Sequence, residues 1–298
     1  MSDTVALPAA PSIRLDGKIA LITGVGAGIG RAIAHAYAQL GATIVGVEID
    51  TARITTLAAE LGERHRIVQG DVRDERSIAD TLAAVETLGG RLDIVVNNVG
   101  DNLRLRGAFE TFSPENWDAL YDINLRHVFG YTRAALPLLR RSGQGGSIIN
   151  ISTIEAYRGA PPAAVYAAFK AGITGFTRSI ALELAPEQIR ANIIAPETTE
   201  TEQVPVSRMI AEEHRHHMDR WIPMARFGAP TDIAGAAVFL ASDLSSWMTG
   251  TTLHVDGGAL AAGGFYRAPD GAWTNFPVIT GIGVGWRPPP PATLKPKP

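Results

Sequence analysis

Residues 164–175, AVYAAFKAGITG, place one phenol and one ammonium in a stretch that is otherwise small and apolar. Tyr166 and Lys170 are four residues apart, so in a helix they lie on the same face. A tyrosine has a reference pKa of about 10, and lowering it to about 7–8 requires roughly 3–4 kcal/mol of preferential stabilisation of the phenolate. A nearby ammonium supplies part of this. The pair is therefore a candidate acid–base pair, although on spacing alone a lysine extending beside a packed ring is the commoner explanation.

A glycine-rich turn, TGVGAGIG (23–30), follows the apolar run KIALIT (18–23) and precedes a helix expected from about Gly28 to Leu40. Such a strand, turn and helix bind phosphate, because glycines let the backbone approach closely and the helix N-terminus offers free N–H groups. The spacing is T-G-x-x-x-G-x-G, and three glycines can also serve a tight turn for steric reasons alone. We predict a dinucleotide site that includes Gly24, Gly28, Ile29 and Gly30.

The next apolar run, ATIVGVE, ends in Glu48. A carboxylate at this place can accept hydrogen bonds from the adenosine ribose hydroxyls, which selects NAD. The 2′-phosphate of NADP would be repelled: two like unit charges at ~4 Å and an effective dielectric near 20 cost about 4 kcal/mol. The nearest basic residue is Arg53, further into the next helix. NAD is the predicted cofactor, and the alternative reading of Glu48 is a surface residue at a strand end.

Further strand candidates are buried-looking runs separated by helical stretches, which indicates a parallel sheet with helices on both faces. Ser113 and Pro114 form a helix start signal, with serine as N-cap and proline at the first helical position. The organisation predicted is an N-terminal extension (1–13), one catalytic domain (14–258) and an aromatic, proline-rich tail (259–298). The additional strand candidates are 66–71, 92–98, 146–152, 190–196 and 251–257.

Composition excludes several classes of function. The chain has no cysteine, which rules out disulfides, thiolate chemistry and cysteine-ligated zinc. A net charge of −3 gives no global attraction to nucleic acid or an anionic membrane. Without a secretory signal or an apolar run of ~18 residues, a cytoplasmic location is expected. His214 and His217 could share a helix face, but no acidic partner is well placed, so no metal site is predicted.

A series of short motifs follows in order along the chain: TGVGAGIG (23–30), GDV (70–72), NNVG (97–100), Asn124, INIST (149–153), YAAFK (166–170), IIAPETTET (193–201) and DGG (256–258). Together they resemble the short-chain dehydrogenase/reductase superfamily, and the resemblance covers about residues 14–258. It implies a Rossmann-like, doubly wound sheet of about seven parallel strands and a single-domain enzyme that uses a nicotinamide cofactor.

The resemblance assigns cofactor-binding roles. Asp71 would bind the adenine amino group with the Val72 backbone beside it, and Asn98 and Gly100 would lie beside the adenosine ribose, with Val99 in place of the usual alanine. Three further residues would hold the nicotinamide carboxamide: Pro196, Thr199 and Thr201. After this proline the family usually has glycine, whereas this chain has Glu197, a departure that bears on the path of the loop.

The resemblance also completes the catalytic set. The family's serine lies thirteen residues before the tyrosine, a position held here by Thr153, with Ser152 as its neighbour. Because neighbouring strand residues point to opposite faces, we expect Thr153 rather than Ser152 to face the substrate. Lys170 would also bond the nicotinamide ribose, and Asn124 would hold a water that links the lysine to solvent. With these residues in register, the acid–base interpretation of Tyr166 and Lys170 is favoured.

Three functions are considered. The first is an NAD-dependent oxidoreductase that interconverts a secondary alcohol and a ketone, with a bulky, apolar, cyclic, aromatic or steroid-like substrate. The alternatives are an NADP-dependent 3-oxoacyl reductase and a non-catalytic NAD-binding regulator, which the complete catalytic set argues against. A substrate lid is expected over 202–227, with ordinary amphipathic packing as the other explanation of its apolar residues: Val204, Val206, Met209, Ile210, Met218, Trp221, Ile222, Met224 and Phe227.

The resemblance implies a homodimer or homotetramer, joined partly through helices around 113–140 and 163–185. The second of these carries small residues that allow close helix approach: Ala164, Ala167, Ala168, Ala171, Gly172 and Gly175. The aromatic part of the tail, 259–286, is expected to cover either this chain's own site or a neighbour's. The sequence does not identify the substrate, its stereochemistry or the direction of the reaction.

Overall fold

The computed structural model describes residues 11–161, 163–206, 212–263, 266–267 and 273–274. Seven strands form one parallel sheet in the order β3-β2-β1-β4-β5-β6-β7. The predicted Rossmann-like, doubly wound fold is therefore confirmed. The strands are β1 (Ile19–Thr23), β2 (Thr43–Glu48), β3 (Arg66–Gln69), β4 (Ile94–Asn97), β5 (Gly146–Ile151), β6 (Ile189–Pro196) and β7 (Thr252–Val255).

Helices connect the strands. Ser113 caps α4 as predicted, since its side chain accepts a hydrogen bond from the Asn116 N–H. A π-helical turn, Asp122–Arg126, joins α4 to α5. The helices are α1 (Gly28–Gln39), α2 (Thr51–Leu61), α3 (Glu75–Glu86), α4 (Pro114–Tyr121), α5 (His127–Arg141), α6 (Ala164–Leu184), α7 (Met218–Trp221), α8 (Pro230–Ala241) and α9 (Ala259–Ala262).

The core lies on both faces of the sheet. In β1, Ala20 and Ile22 pack with α1 and α8 on one face, while Ile19 and Leu21 pack with α3, α5 and α6 on the other. Every residue of β1 is buried, as expected for a strand covered on both sides. The Tyr37 hydroxyl donates to the Ala237 carbonyl at 2.9 Å and joins α1 to α8.

The order of the strands creates a crevice. The chain passes from β3 at one edge back to β4 beside β1, and ligands of such sheets bind at this switch point, outside the carboxyl ends of the strands. The loops that follow β1, β4, β5 and β6 therefore converge where the sequence places its candidate site residues.

Part of the C-terminal tail is described. Tyr266–Arg267 (β8) pairs antiparallel with Trp273–Thr274 (β9), and β8 lies next to α7 of the expected lid. The tail residues 264–265, 268–272 and 275–298 lie outside the described residues, as do residues 1–10 and the lid residues Met209 and Ile210. None of the described helices combines the length and apolarity needed to cross a membrane.

Candidate active site

Two glycines of the glycine-rich turn lie where a side chain would clash with neighbouring atoms. Gly24 has φ +68°, and a Cβ there would lie 2.7 Å from Val99 Cγ2. A Cβ on Gly30 would lie 2.1 Å from the Gly24 carbonyl oxygen, so neither position accepts a side chain without movement. Ala27 is the N-cap residue of α1 and has no side-chain oxygen to cap the helix. The first N–H groups of α1 are therefore left for an external anion. The turn thus fits a pyrophosphate.

The Glu48 carboxylate lies beside this turn and is only 6% exposed. One oxygen accepts a hydrogen bond from the Gly26 N–H at 2.9 Å, and the other accepts from the N–H groups of Ile49 and Asp50, both at 3.0 Å. The side chain is held by backbone donors rather than by a cation. It therefore presents a negative charge at the carboxyl end of β2, where an adenosine ribose fits a doubly wound sheet.

Arg53, the nearest cation considered, lies against the same turn, since a Cβ on Gly26 would come within 2.7 Å of Arg53 Cβ. Its guanidinium pairs with Glu202 at 2.9 Å, and its Nε lies 3.8 Å from an Asp50 carboxylate oxygen. Two acids thus offset its charge, which weakens any attraction to a 2′-phosphate.

The residues predicted to bind the adenosine part of the cofactor are held by contacts with neighbouring residues or are buried. Asp71 accepts a hydrogen bond from Arg73 Nε at 2.9 Å, and this contact is the main reason that the pKa of Asp71 is lowered. Val72 is buried. The side chain of Asn98 donates to the Thr23 carbonyl at 3.0 Å and ties the end of β4 to the end of β1.

Tyr166 and Lys170 lie on one face of α6, with the ammonium 5.9 Å from the tyrosine ring centroid. Lys170 is 3% exposed and donates to the Ile151 carbonyl at 3.2 Å. Burial lowers the pKa of Lys170 to about 8, against an opposing effect of Asp101. The ammonium is thus the main form at neutral pH, yet close to losing its proton.

The sequence led us to expect that Lys170 lowers the pKa of Tyr166, and in the protein alone the direction is the opposite. Burial raises the pKa of Tyr166, and the carboxylates of Glu155 and Asp101 raise it further. Arg106 opposes them only in part. Removal of the phenolate from water outweighs the nearby positive charge, so the hydroxyl keeps its proton at neutral pH.

Gly100 makes room for two of the predicted catalytic residues. A Cβ at this position would lie 2.4 Å from the Lys170 Nζ and 3.0 Å from the Asn124 Oδ1. Asn124 is buried in the π-helical turn, and its amide group donates to the carbonyls of Asp101 (2.7 Å) and Leu120 (2.9 Å). Both amide hydrogens are committed, so a water at Asn124 would have to donate to Oδ1 or use the backbone.

The two hydroxyls after β5 point to different partners. Ser152 is buried and donates to the Lys170 carbonyl at 3.0 Å, which fixes it to α6. Thr153 accepts from the Glu155 N–H at 3.3 Å and has only a long contact, 3.4 Å, to the Pro196 carbonyl for its own proton. Thr153 is the hydroxyl whose proton is available to a substrate oxygen.

The segment after β6 crosses the site toward the glycine turn. Thr199 is buried, donates to the Glu197 carbonyl at 2.9 Å and forms an isolated bridge with Gly228. Thr201 reaches α1, because a Cβ on Gly28 would lie 3.1 Å from its Cγ2. This path brings the residues expected at the nicotinamide next to those expected at the pyrophosphate.

Comparisons with known proteins agree with this geometry. The family model described as enoyl-(acyl carrier protein) reductase matches residues 24–259. The chain belongs to the short-chain dehydrogenase/reductase family. It is 37% identical to the 3-oxoacyl-[acyl-carrier-protein] reductase FabG of Thermotoga maritima, over 83% of this chain and 99% of that protein. As a member of this family, the chain is an oxidoreductase built for a nicotinamide cofactor.

Two solved structures are also similar to this short-chain dehydrogenase/reductase. The 3-ketoacyl-(acyl-carrier-protein) reductase of Brucella melitensis, complexed with NADH, superimposes with a TM-score of 0.75 at 34% identity, over 82% of this chain and 99% of that one. A 7α-hydroxysteroid dehydrogenase, complexed with NADH and 7-oxo glycochenodeoxycholic acid, gives a TM-score of 0.76 at 32% identity, over 83% and 96%.

Charged residues near Tyr166 are a feature that the sequence reasoning missed. Asp101, Arg106 and Glu155 all act electrostatically on its hydroxyl. Glu155 could have been suspected from its place two residues after Thr153, since it lies in the 3-10 turn Ile154–Ala156 that Thr153 caps. The loop positions of Asp101 and Arg106 carry no comparable signal. The site of this short-chain dehydrogenase/reductase is thus more polar than expected.

The described part of the expected lid is mixed in exposure. Val206 and Ile222 are buried, while Met224 is 66% exposed. Trp221 and Phe227 meet edge to face, with centroids 5.5 Å apart. Among the residues that the structure describes, no group of three or more histidines and acids could hold a metal ion, and the side chains of His214 and His217 lie outside that part.

Proposed function

We propose that this oxidoreductase transfers a hydride between NAD(H) and a carbonyl carbon and reduces a ketone to a secondary alcohol. The observation that carries the proposal is the approach of Lys170 to Tyr166, to Gly100 and to the Ile151 carbonyl at the end of β5. The 3-oxoacyl group is the substrate class we favour, because the relatives named as reductases of such groups are matched over 99% of their own length.

The chain's own residues would act on the substrate oxygen. The nicotinamide supplies the hydride that adds to the carbonyl carbon. Thr153 would donate a hydrogen bond to the carbonyl oxygen and hold it against the Tyr166 hydroxyl. Tyr166 would then donate its proton to that oxygen as the alcohol forms, and the raised pKa of Tyr166 keeps this proton in place beforehand. Lys170 would return a proton to the tyrosine, a role that suits a pKa of about 8.

The preferred cofactor in this proposal is NAD(H). Support comes from the buried Glu48 carboxylate beside the glycine turn and from the pairing of Arg53 with Glu202. The similar structures that hold NADH point in the same direction.

A second candidate is an NAD-dependent dehydrogenase of a bulky secondary alcohol. The similarity to a hydroxysteroid dehydrogenase favours it. The charges of Asp101, Arg106 and Glu155 near Tyr166 weigh against a wholly apolar substrate and favour one with polar groups.

The test is oxidation of NADH with 3-oxoacyl thioesters and with bulky ketones, followed by absorbance, for the wild type and Tyr166→Phe. Loss of the proton donor should lower kcat by about 10²–10⁴-fold. Tyr157→Phe is the matched control, since its hydroxyl contacts only the hydroxyls of Thr174 and Thr252 in the described structure, and it should stay within a few-fold of wild type. A Tyr166→Phe protein as active as the wild type would contradict the proposed mechanism.

A second matched pair tests the hydroxyls after β5. Thr153→Val should lower kcat at least tenfold, because it removes the donor to the substrate oxygen. Ser152→Ala should mainly lower stability, by about 1 kcal/mol, through its lost bond to the Lys170 carbonyl. The reverse pattern would assign the role to Ser152.

We also infer an assembly through α4, α5 and α6. On α6, Ala164, Ala168 and Gly175 are exposed, and Leu182 is 77% exposed. Such a surface of small and apolar residues allows another helix to approach closely. Light scattering should report a dimer or tetramer, and Leu182→Glu should shift it toward the monomer. A wild type that is monomeric at micromolar concentration would contradict the inference.

A further inference from the structure

Glu197 is a buried carboxylate in the loop that directly follows β6. Its side chain is 7% exposed. One oxygen accepts from the Thr198 N–H at 2.7 Å and from the Thr198 hydroxyl at 2.8 Å, and the other accepts from Arg158 Nη2 at 2.8 Å. A buried charge costs free energy unless it is fully paired, so this complete set of donors shows an ordered arrangement rather than a side chain left on a surface.

Arg158 belongs to a different loop, the one that follows β5 and carries Thr153. β5 and β6 are neighbours in the sheet. The two loops are also joined by the contact of the Thr153 hydroxyl with the Pro196 carbonyl at 3.4 Å. The ion pair thus connects the loop with the substrate-binding hydroxyl to the loop that begins at Pro196.

We propose that the Arg158–Glu197 ion pair is a positioning pair that holds these two loops in register and neutralises Glu197 beside the nicotinamide. The inference rests on the proposed function, because it takes Pro196, Thr199 and Thr201 as the segment that holds the carboxamide. Neither residue touches the substrate oxygen in this scheme. Both act through the placement and the electrostatic surroundings of the groups that do.

The pair has a consequence that a merely structural contact lacks. The oxidised nicotinamide ring is positively charged and the reduced ring is neutral. Removing the cation leaves an unpaired carboxylate next to Pro196, which favours the oxidised ring. Removing the carboxylate leaves an unpaired guanidinium, which favours the reduced ring. Arg158 and Glu197 variants should therefore shift the preference in opposite directions.

Burial raises the pKa of Glu155 and Arg106 lowers it, and the ion pair acts on it as well, since Glu197 raises this pKa and Arg158 lowers it. Removing Arg158 therefore raises the pKa of Glu155 and removing Glu197 lowers it, so in each single variant Glu155 partly offsets the charge change made in the pair. The double variant removes both influences together, and its comparison with the single variants reports on the pair.

The experiment measures dissociation constants for the oxidised and reduced forms of whichever cofactor the wild type prefers, by fluorescence titration. The proteins are the wild type, Arg158→Met, Glu197→Gln and the double variant. Arg158→Met should favour the oxidised form at least fivefold relative to wild type, and Glu197→Gln should shift the ratio the other way. The double variant should return to within twofold of wild type, because neither charge is then left unpaired.

Activity gives a second readout. In Arg158→Met, kcat for ketone reduction should fall at least tenfold, while KM for the ketone changes less than threefold, because the loops lose register but the substrate pocket keeps its residues. Arg140→Met is the matched control, because it breaks an exposed ion pair with Glu187. Arg140 precedes β5 and Glu187 precedes β6, so this pair lies at the opposite ends of these strands from the two loops. It should leave the binding ratio and kcat unchanged.

The outcomes separate the two proposals. A wild type that binds neither form of NAD nor of NADP overturns the proposed function and, with it, the role of this pair. A wild type that binds cofactor, with an Arg158→Met ratio within twofold of wild type, overturns the positioning pair alone. A double variant displaced as far as Arg158→Met also overturns it, because packing rather than charge would then explain the shift. Thermal unfolding of each apo protein verifies that the variants are folded.

Discussion

Replacing Glu48 by glutamine tests the cofactor preference most directly. Glutamine keeps the length of the side chain and one accepting oxygen, which can serve the N–H groups of Ile49 and Asp50, while its NH2 replaces the oxygen that accepts from the Gly26 N–H. It removes the negative charge and keeps two of the three backbone hydrogen bonds at the end of β2. The change therefore tests mainly the electrostatic part of the preference.

The expected magnitude follows from the position of the carboxylate. Like unit charges about 4 Å apart at an effective dielectric near 20 repel by about 4 kcal/mol. Glu48 is 6% exposed, so water screens it incompletely, and rearrangement of a 2′-phosphate reduces the repulsion to roughly half. About 2 kcal/mol corresponds to roughly a 30-fold preference for NADH over NADPH in the wild type. Glu48→Gln should lose most of it.

The assay compares kcat/KM for NADH and NADPH with one ketone at saturating concentration. Glu63→Gln is the charge-matched control, because Glu63 is exposed in the connection between α2 and β3 and should leave the ratio unchanged. Glu202→Gln should improve NADPH use by a few-fold, since it releases Arg53 from its 2.9 Å partner. A wild type that uses NADPH at least as well as NADH, or an unchanged ratio in Glu48→Gln, would refute the reasoning.

Two further predictions concern the lysine and the glycine that accommodates it. Because the folded pKa of Lys170, about 8, lies below its reference value of 10.5, the charged lysine opposes folding at neutral pH. The unfolding free energy of wild type relative to Lys170→Met should rise by up to about 3 kcal/mol between pH 8 and 10.5, measured by urea unfolding, and a flat difference would contradict the pKa. Gly100→Ala should cut kcat at least tenfold, because its Cβ would lie 2.4 Å from the lysine Nζ. Gly235→Ala is the control, because a Cβ there has no heavy atom within 4 Å, and equal activities of the two variants would show that the lysine can move freely.

The fold could be predicted because the composition of its strands reflects how they are buried. β1 and β4 are apolar at consecutive positions, as strands covered on both faces must be, and the glycine turn after β1 indicates where the first helix begins. Ser113 and Pro114 likewise mark the start of α4 through local hydrogen bonding. Each of these signals lies within a few residues of the element that it defines.

The parts of the site that were missed depend on contacts between distant residues. Arg158 and Glu197 are 39 positions apart, and Arg53 and Glu202 are 149 apart, so neither pairing leaves a local pattern. Glu197 stood out only as a departure from the usual glycine, without a reason. The predicted direction of the pKa shift of Tyr166 was wrong for the protein alone, and the cause is the same. The spacing shows the neighbouring lysine, whereas the loss of water around the phenol depends on how α6 packs.

The protonation of Tyr166 bears on the direction in which the site works. In the protein alone, burial and the carboxylates of Asp101 and Glu155 hold the proton on the phenol, and this is the form needed to donate to a ketone oxygen. Oxidation of an alcohol needs the phenolate, which burial and the carboxylates of Glu155 and Asp101 oppose in the protein alone. Additional positive charge at the site would be required for that direction. The protein alone therefore presents the protonated phenol, which is the form from which the reduction proposed above begins.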